Sequence, residues 1–241
     1  TQEKNLPQVK VQKVEKIKFS EELNLVASIN ANESVEITAV VSEKIKSIKF
    51  EEGSFIKKND ILIELENNEE KAILKQVDAE LAESIANYER AKKLLNEGNA
   101  SQSMIDKKLM EKKKLEGKFQ EIQAKLDDLI IKAPFNGIIG TKNYSNGSFI
   151  NPGDVITSLY DISRVKVEIY IPEIYISEIY KKQFFLATLP SINNASFKGE
   201  VYAINPSIDK ETRTFKVIGI IKENNNYSLM RGMMSNIKLQ L

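Results

Sequence analysis

Hydrophobic positions follow two different periods along this chain of 241 residues. Apolar and polar residues alternate between residues 22 and 40, and again between residues 164 and 241, which is typical of strands with one buried face. Residues 7–19 also alternate, with one break, and predict a further strand. The alternating segments at 20–34 and 164–241 together predict a small antiparallel β-barrel.

The period changes to that of a helix at residue 67. Mostly apolar residues recur at steps of three and four in two runs, which predict two helices packed along a narrow seam. The runs are Leu74, Val77, Leu81, Ser84, Tyr88, Ala91 and Leu95, then Leu115, Phe119, Ile122, Leu126 and Leu129. Asn67 or Asn68 is expected to cap the first helix, Gly98 to end it, and Ser103 with Asp106 to form the capping box of the second. Residues 67–130 are therefore predicted to form an antiparallel coiled-coil hairpin.

One segment of the chain occurs twice. Residues 53–65 read GSFIKKNDILIEL, and residues 147–159 read GSFINPGDVITSL. The alignment continues upstream, where Ala39 matches Ala133 and Ile45 matches Ile139. Because an internal repeat indicates two copies of one structural motif, the sequence predicts a β domain in two halves, 35–66 and 131–163, split by the hairpin. The predicted fold class is mixed α and β, an elongated chain of more than one domain.

The composition excludes several classes of function. A formal net charge of +1 with mixed signs gives no basic face for nucleic acid. The absence of Cys and His removes the usual zinc and copper ligands and most nucleophilic triads. No apolar run approaches the length of a membrane-spanning helix. We see no carboxylate pair, nucleophile–base pair or phosphate loop, so the sequence predicts no catalytic residue and no enzyme.

The two halves of the split β domain resemble the lipoyl/biotinyl domain. Each half carries the same glycine and aspartate turn, at 53–60 and at 147–154. In carrier proteins of that family a lysine on the hairpin between the halves holds the cofactor. Here the helices replace that hairpin, and Lys71, the nearest lysine, lacks the flanking residues of a modification site. The resemblance therefore implies the fold without a cofactor.

A lipoyl-like domain split by a coiled-coil hairpin and followed by a β-barrel resembles the periplasmic adaptor (membrane fusion protein) family of tripartite efflux pumps. Residues 131–139, IKAPFNGII, look like the family's I-x-A-P-F-x-G-x-I/V signature. Residues 197–214 and 229–233 are similar to the two signatures of its barrel. Glu43 and Arg231 depart from the family pattern, which usually has Gly and Pro there.

The tip of the predicted hairpin also resembles this family. Arg90, Leu94 and Ser101 match the family's R-x-x-x-L with a Ser seven residues after the Leu. The resemblance implies that these residues bind a TolC-type outer-membrane channel. The plainer interpretation is that Arg90 is a surface charge, Leu94 fills the tip and Ser101 caps a helix.

The resemblance implies a non-enzymatic adaptor that links an inner-membrane resistance-nodulation-division (RND) transporter to an outer-membrane channel, and that forms a ring in the assembled pump. We expect it in the periplasm, anchored to the inner membrane by a lipid or segment outside this sequence. Residues 1–19 would then be a strand of a membrane-proximal domain whose partner segment is absent here.

Other functions remain open on the sequence. One alternative is an adaptor for an ABC-type exporter, which shares these domains but often has a longer hairpin. Another is a metal-efflux adaptor that uses the clustered Met230, Met233 and Met234, since thioethers suit Cu(I) and Ag(I). Asp209 and Arg213 could form a charged site of an enzyme. The simpler interpretation is that this pair fixes a corner of the barrel.

Overall fold

The structure is a computed structural model that describes residues 10–14, 21–224 and 227–241. The chain divides into two compact units. One contains residues 165–222 and 229–241 with the segment up to residue 30, and the other contains residues 31–164 and 223–228. Residues 10–14 are not part of a strand, and the rest of the strand predicted for 7–19 lies outside the described residues.

Strands flank two long helices, as the periods predict. The helices are α1 (Asn68–Asn96) and α2 (Gln102–Asp128), and short 3-10 helices occur at Glu173–Tyr175 and Pro190–Ile192. The strands are β1 (Glu22–Thr38), β2 (Glu43–Ile48), β3 (Phe55–Ile56), β4 (Ile61–Leu65), β5 (Ile130–Lys132), β6 (Gly137–Ile139), β7 (Phe149–Ile150), β8 (Val155–Pro172), β9 (Phe184–Leu189), β10 (Ala195–Asp209), β11 (Thr214–Ile221) and β12 (Met234–Gln240).

The first unit is the small antiparallel β-barrel that the alternation predicts. Its strand order is β1-β12-β9-β10-β11-β8, and β1 also pairs with β8. Val165, Val167, Ile169 and Ile171 of β8 are fully buried. Gly199 and Gly219 lie against the ring of Phe185, and a Cβ on either glycine would overlap that ring.

Asp209 and Arg213 form a corner of the barrel. The backbone N–H of Thr212 donates to Asp209 Oδ1 at 2.9 Å and is the main cause of the lowered pKa of Asp209. The Thr212 hydroxyl and the N–H of Glu211 donate to the same oxygen. Arg213 closes the turn with a φ of 52° and an N–H bond to the Asp209 carbonyl at 2.9 Å. The Asp209 carboxylate is therefore used to hold the turn.

In the second unit the two repeated halves exchange backbone hydrogen bonds. The N–H of Gly53 donates to the carbonyl of Ile139 at 3.0 Å, and the N–H of Gly147, its repeat partner, donates to Ile45 at 2.8 Å. Both glycines have positive φ, 75° and 88°, which favours glycine at these turns. Because each half hydrogen-bonds the other, neither half completes its backbone pairing alone.

The core of the split domain draws on both halves. Its fully buried side chains include Ile45, Leu62, Ile63 and Leu65 from the first half and Ile139, Ile150, Ile156 and Leu159 from the second. Leu129, at the end of α2, is 5% exposed and joins this cluster. The hairpin is therefore anchored in the domain that it interrupts.

The hairpin seam follows the predicted heptad spacing. Val77, Ser84 and Ala91 of α1 are buried, as are Ile105 and Ile122 of α2. The intervening seam residues, among them Leu81, Leu115 and Phe119, are half-buried, because two helices cover only one side of each side chain. In the part of the chain that the structure describes, neither helix is both long and apolar enough to cross a membrane.

One predicted cap is wrong. Ser103 lies inside α2, and the N-cap is Ser101, whose hydroxyl oxygen accepts a hydrogen bond from the N–H of Met104 at 3.3 Å. The capping-box pattern identified the correct turn but placed its start two residues late. Asn67 holds the N-cap position of α1, although its side chain makes no capping hydrogen bond.

Candidate functional site at the hairpin tip

The C-terminal end of α1 forms the turn at the tip of the hairpin. Gly98 adopts a φ of 76°, and its N–H donates to the carbonyl of Leu95 at 2.9 Å. The N–H of Asn99 donates to the carbonyl of Leu94 at 2.8 Å. This pair of bonds is a Schellman motif, which ends a helix and satisfies its last carbonyls. The chain then reverses within a few residues and enters α2 at Gln102.

Arg90 and Leu94 share one side of α1, since they are four residues apart. Arg90 is exposed, and its Nη2 donates to Oδ1 of Asn87, one turn earlier on the same helix. That bond aligns the guanidinium along the helix while leaving its remaining donors for a partner. The Leu94 side chain is 39% exposed, whereas Ala91 beside it is buried in the seam. The apolar surface of Leu94 is thus presented beside a fixed cation.

Ser101 stands at the start of the other helix. Its hydroxyl oxygen caps α2, so the cap uses a lone pair of the hydroxyl and not its hydrogen. The residue is exposed, and the hydroxyl hydrogen can still donate to a partner. Ser101 therefore caps α2 and still keeps one donor for the channel contact that the family resemblance implies.

The structure brings the three predicted residues to the same end of the hairpin without bonding them to one another. Arg90 and Leu94 form a patch on α1, and Ser101 lies across the turn. Asn87, which holds the guanidinium, was missed by the sequence reasoning. Its spacing of three residues before Arg90 is the signal that could have identified it.

The other candidate residues have structural partners. Lys71 forms an ion pair with Glu64 at 3.7 Å, and Lys46 bonds the same carboxylate at 3.3 Å. The Lys46 hydrogen bond is the main cause that lowers the pKa of Glu64. Of the methionines, Met233 accepts a hydrogen bond at its sulfur from the N–H of Met230 at 3.4 Å, and Met230 is 57% exposed. Within the described residues no group of His, Cys, Asp and Glu side chains could hold a metal ion.

Two family models match this chain. Residues 33–161, more than half of the chain, match the model described as the RND membrane fusion protein barrel-sandwich hybrid domain. Residues 164–241 match a CusB-like β-barrel domain. The chain therefore belongs to the membrane fusion protein family of RND-type pumps, as the signatures at 131–139 and 197–214 predicted.

Individual relatives are distant but similar over most of this chain. The multidrug resistance protein MdtA of Xenorhabdus bovienii is 24% identical over 89% of this chain and 57% of its own length. The efflux pump periplasmic linker BepF of Brucella suis is 29% identical over 54% of this chain and 35% of its own length. The chain thus spans little more than half of MdtA and about a third of BepF.

A solved structure shows the same fold. A MacA–MexA chimera that carries the α-hairpin of Pseudomonas aeruginosa MexA superposes with a TM-score of 0.82 at 20% sequence identity. The alignment covers 92% of this chain and 83% of the chimera. The predicted fold class, a split lipoyl-like domain with an inserted hairpin plus a β-barrel, is confirmed by this likeness and by the two family models.

Proposed function

We propose that this chain is the hairpin, lipoyl-like and barrel portion of a periplasmic adaptor that links an RND transporter of the inner membrane to a TolC-type channel of the outer membrane. The match of residues 33–161 to the RND membrane fusion protein model carries this proposal. The name of BepF, a periplasmic linker of an efflux pump, supports the periplasmic location. The cargo is a drug or another small molecule, as the name of MdtA suggests.

Each part of the chain has a mechanical role in this proposal. The hairpin extends from the split domain, and α1 is about 45 Å long at ~1.5 Å per residue. Its tip offers a cation, an apolar side chain and a hydroxyl from Arg90, Leu94 and Ser101, which suit contact with the helices of a channel. The split domain supplies a rigid base, because its two halves share one core and exchange their hydrogen bonds. Copies gathered by the transporter form a ring, since weak contacts between them add when they are held together.

The experiment that tests the transporter class is co-purification. The full-length protein, tagged and expressed from its own locus, is extracted with mild detergent, and the proteins bound to it are identified by mass spectrometry. We expect an RND transporter and an outer-membrane channel. Recovery of an ABC-type ATPase in place of the RND transporter would replace the proposal by the ABC alternative. A deletion strain is assayed in parallel for drug accumulation, which is expected to rise.

Metal efflux through methionines is a weaker candidate. Met230 and Met234 are exposed, at 57% and 53%, but the Met233 sulfur is hydrogen-bonded to the backbone N–H of Met230. Growth of the deletion strain on Cu(I) or Ag(I) tests it. Sensitivity to these ions without drug accumulation would favour the metal alternative.

A further inference from the structure

A shallow groove on the outer surface of the β-barrel combines apolar side chains with lysines. Its volume is about 300 Å³, and it is lined by residues of β1, β9, β10 and β12. Phe184 and Leu186 form its apolar part, and Lys198 and Lys238 lie on either side of Leu186. We call this surface the lysine groove.

The strand register explains why these side chains share one surface. Leu186 pairs with Lys198 of β10 on one side and with Lys238 of β12 on the other. All three are exposed, whereas Phe185 and Ile237, the next residues along β9 and β12, are buried. Paired residues of an antiparallel sheet point to the same face, and neighbouring strands are about 4.8 Å apart. The Cα atoms of the two lysines are therefore about 10 Å apart, with the leucine between them.

Lys198 and Phe184 are in direct contact. The Nζ atom of Lys198 lies 4.0 Å from the centroid of the Phe184 ring, which is a cation–π distance. The Phe184 side chain is nevertheless 58% exposed, and that of Leu186 is 40% exposed. The contact thus holds an ammonium group beside an open apolar surface.

The two lysines of the groove have no acidic partner. Glu200, which pairs with Phe184 across the strands, is bonded instead to Lys222 at 2.8 Å. In the part of the chain that the structure describes, neither Lys198 nor Lys238 makes an ion pair. Both positive charges are therefore available to a ligand.

One carboxylate also lines the groove. Glu22 of β1 is exposed and pairs across the strands with Gln240. The groove therefore carries two positive charges and one negative charge. This balance favours an anion, and the Glu22 carboxylate weakens that preference by repulsion.

We propose that the lysine groove binds a small organic anion with an apolar body, such as a medium-chain carboxylate or sulfonate. The apolar body lies on Phe184 and Leu186, and the anionic head lies between Lys198 and Lys238. The volume of about 300 Å³ is at the lower end of the range for small-molecule sites. The site goes beyond the proposed adaptor function, because it gives the barrel a ligand of its own.

The size and chemistry of the groove favour such a ligand over other partners. A stable protein partner contacts about 20–30 residues on each side, whereas eight residues line the groove. An inorganic anion would use the two lysines but would leave Phe184 and Leu186 in water. An amphiphilic anion uses both parts of the surface.

Calorimetric titration of the purified chain with decanoate tests the ligand class. Decanoate has the carboxylate and the apolar chain, acetate has only the carboxylate, and decyltrimethylammonium reverses the charge of the head. All three are used below the concentrations at which they form micelles, and at about 0.01 M salt, where exposed charges are least screened. We expect decanoate alone to bind. Equal binding of the cationic probe, or no binding of decanoate, would overturn the proposal.

Substitutions of the lysines and the aromatic ring locate the site. Lys198→Gln with Lys238→Gln should raise the Kd for decanoate about tenfold, the loss expected of two exposed charge pairs. Phe184→Ala should also raise the Kd, since the apolar contact is lost. The matched control, Lys142→Gln with Lys210→Gln, removes two exposed lysines outside the groove and should leave the Kd unchanged. An equal loss in this control would mean that net charge and not the groove attracts decanoate.

Glu22→Gln is the sharpest variant, because it should strengthen binding. It removes the carboxylate that repels the ligand head, so the Kd should fall by up to about fivefold, the range of one exposed charge pair. Glu51→Gln makes the same change on an exposed position of the second unit and should have no effect. A Kd that stays the same or rises in Glu22→Gln contradicts the placement of the head group.

Nuclear magnetic resonance of the isotope-labelled chain maps the contact without a substitution. Decanoate should shift the amide signals of Phe184, Leu186 and Lys238, and should leave those of Arg90 and Leu94 at the hairpin tip in place. Shifts confined to the hairpin or to the split domain would refute the site.

Sedimentation with phosphatidylglycerol vesicles separates a free ligand from a membrane surface. The chain should stay in the supernatant, because the groove accommodates one small amphiphile and not a bilayer. Sedimentation that is lost in Lys198→Gln with Lys238→Gln would assign the groove to a membrane and contradict the proposal. None of these assays contains a transporter or a channel, so an error in the assigned pump leaves their results unchanged.

Discussion

Asp60 and Asp154 hold two equivalent turns in the same way. Asp60 Oδ2 accepts a hydrogen bond from the N–H of Lys57, and Asp154 Oδ2 accepts one from the N–H of Asn151, at 2.8 Å in both cases. The repeat in the sequence is therefore a repeat of turn chemistry. The copies differ beside the second turn, where burial and the nearby charge of Asp154 raise the pKa of Tyr144; the equivalent residue of the first half is Phe50, which has no hydroxyl.

The difference between the two turns can be measured. Asp60→Ala is expected to lower the free energy of unfolding by about 1 kcal/mol, as the loss of one hydrogen bond to a carboxylate. Asp154→Ala should cost more, because the half-buried Tyr144 also loses the neighbouring carboxylate that acts on its pKa. Urea unfolding of both variants checks this. In a Tyr144→Phe background the two substitutions should cost the same, and a persisting difference would show that Tyr144 is not its source.

Two glycines of the hairpin should respond to alanine in opposite directions. Gly98→Ala places a side chain at a φ of 76°, which costs about 1 kcal/mol in the left-handed region. Gly117 lies inside α2 with nothing within 4 Å of a Cβ, so Gly117→Ala should stabilise the helix by up to about 1 kcal/mol. Thermal unfolding followed by far-UV circular dichroism measures both changes. The same sign for both would mean that the end of α1 is wrongly assigned.

Two seam residues should differ in cost according to their burial. Ile122 is 7% exposed, and Ile122→Ala is expected to cost about 3 kcal/mol. Phe119 is half-buried, so Phe119→Ala should cost less, about 2 kcal/mol, despite its larger side chain. Urea melts compare the two variants. Gln123→Ala, on an exposed position of the same helix, is the control and should be close to neutral.

Substitutions at the tip should uncouple the adaptor from the channel. Arg90→Asp reverses the cation, and Leu94→Ser removes the exposed apolar surface; each is expected to abolish efflux, since few residues dominate a typical interface. Drug accumulation in strains that express equal amounts of each variant measures this. Lys75→Asp makes the same charge change on an exposed position of α1 far from the tip and should retain export.

The tip prediction separates channel binding from folding and from transporter binding. Both tip variants should melt like wild type and still co-purify with the inner-membrane transporter. If both export as well as wild type, the channel contact lies elsewhere on the protein.

Asp161 should make the second unit sensitive to acid. Burial acts against its ionisation, but hydrogen bonds from Ser163 and Asn32 and the charge of Arg164 outweigh it and lower the pKa of Asp161. Because the folded pKa lies below the unfolded value of about 3.9, this stabilisation is present above that value and is lost as the pH falls through the folded pKa. Urea melts of wild type and Asp161→Asn should differ most near neutral pH and converge below about pH 4. A difference that stays constant over this range would contradict the assignment.

Much of this architecture was predictable from the sequence, because it depends on local patterns. The heptad spacing of Val77, Ser84 and Ala91 identified the seam, since a helix turns by a fixed angle per residue whatever surrounds it. The alternation along β8 identified the barrel strand, since successive side chains of a strand point to opposite faces. The repeat at 53–65 and 147–159 identified the split domain, because its turns require particular residues at fixed offsets.

Only the tertiary structure decided the features that depend on residues far apart in the chain. It showed that the repeated halves exchange hydrogen bonds, as Gly53 does with Ile139, which a pattern within either half cannot reveal. It also brought Tyr88 of α1 level with Lys112 of α2, because that level depends on how α1 packs along α2 and not on either helix alone.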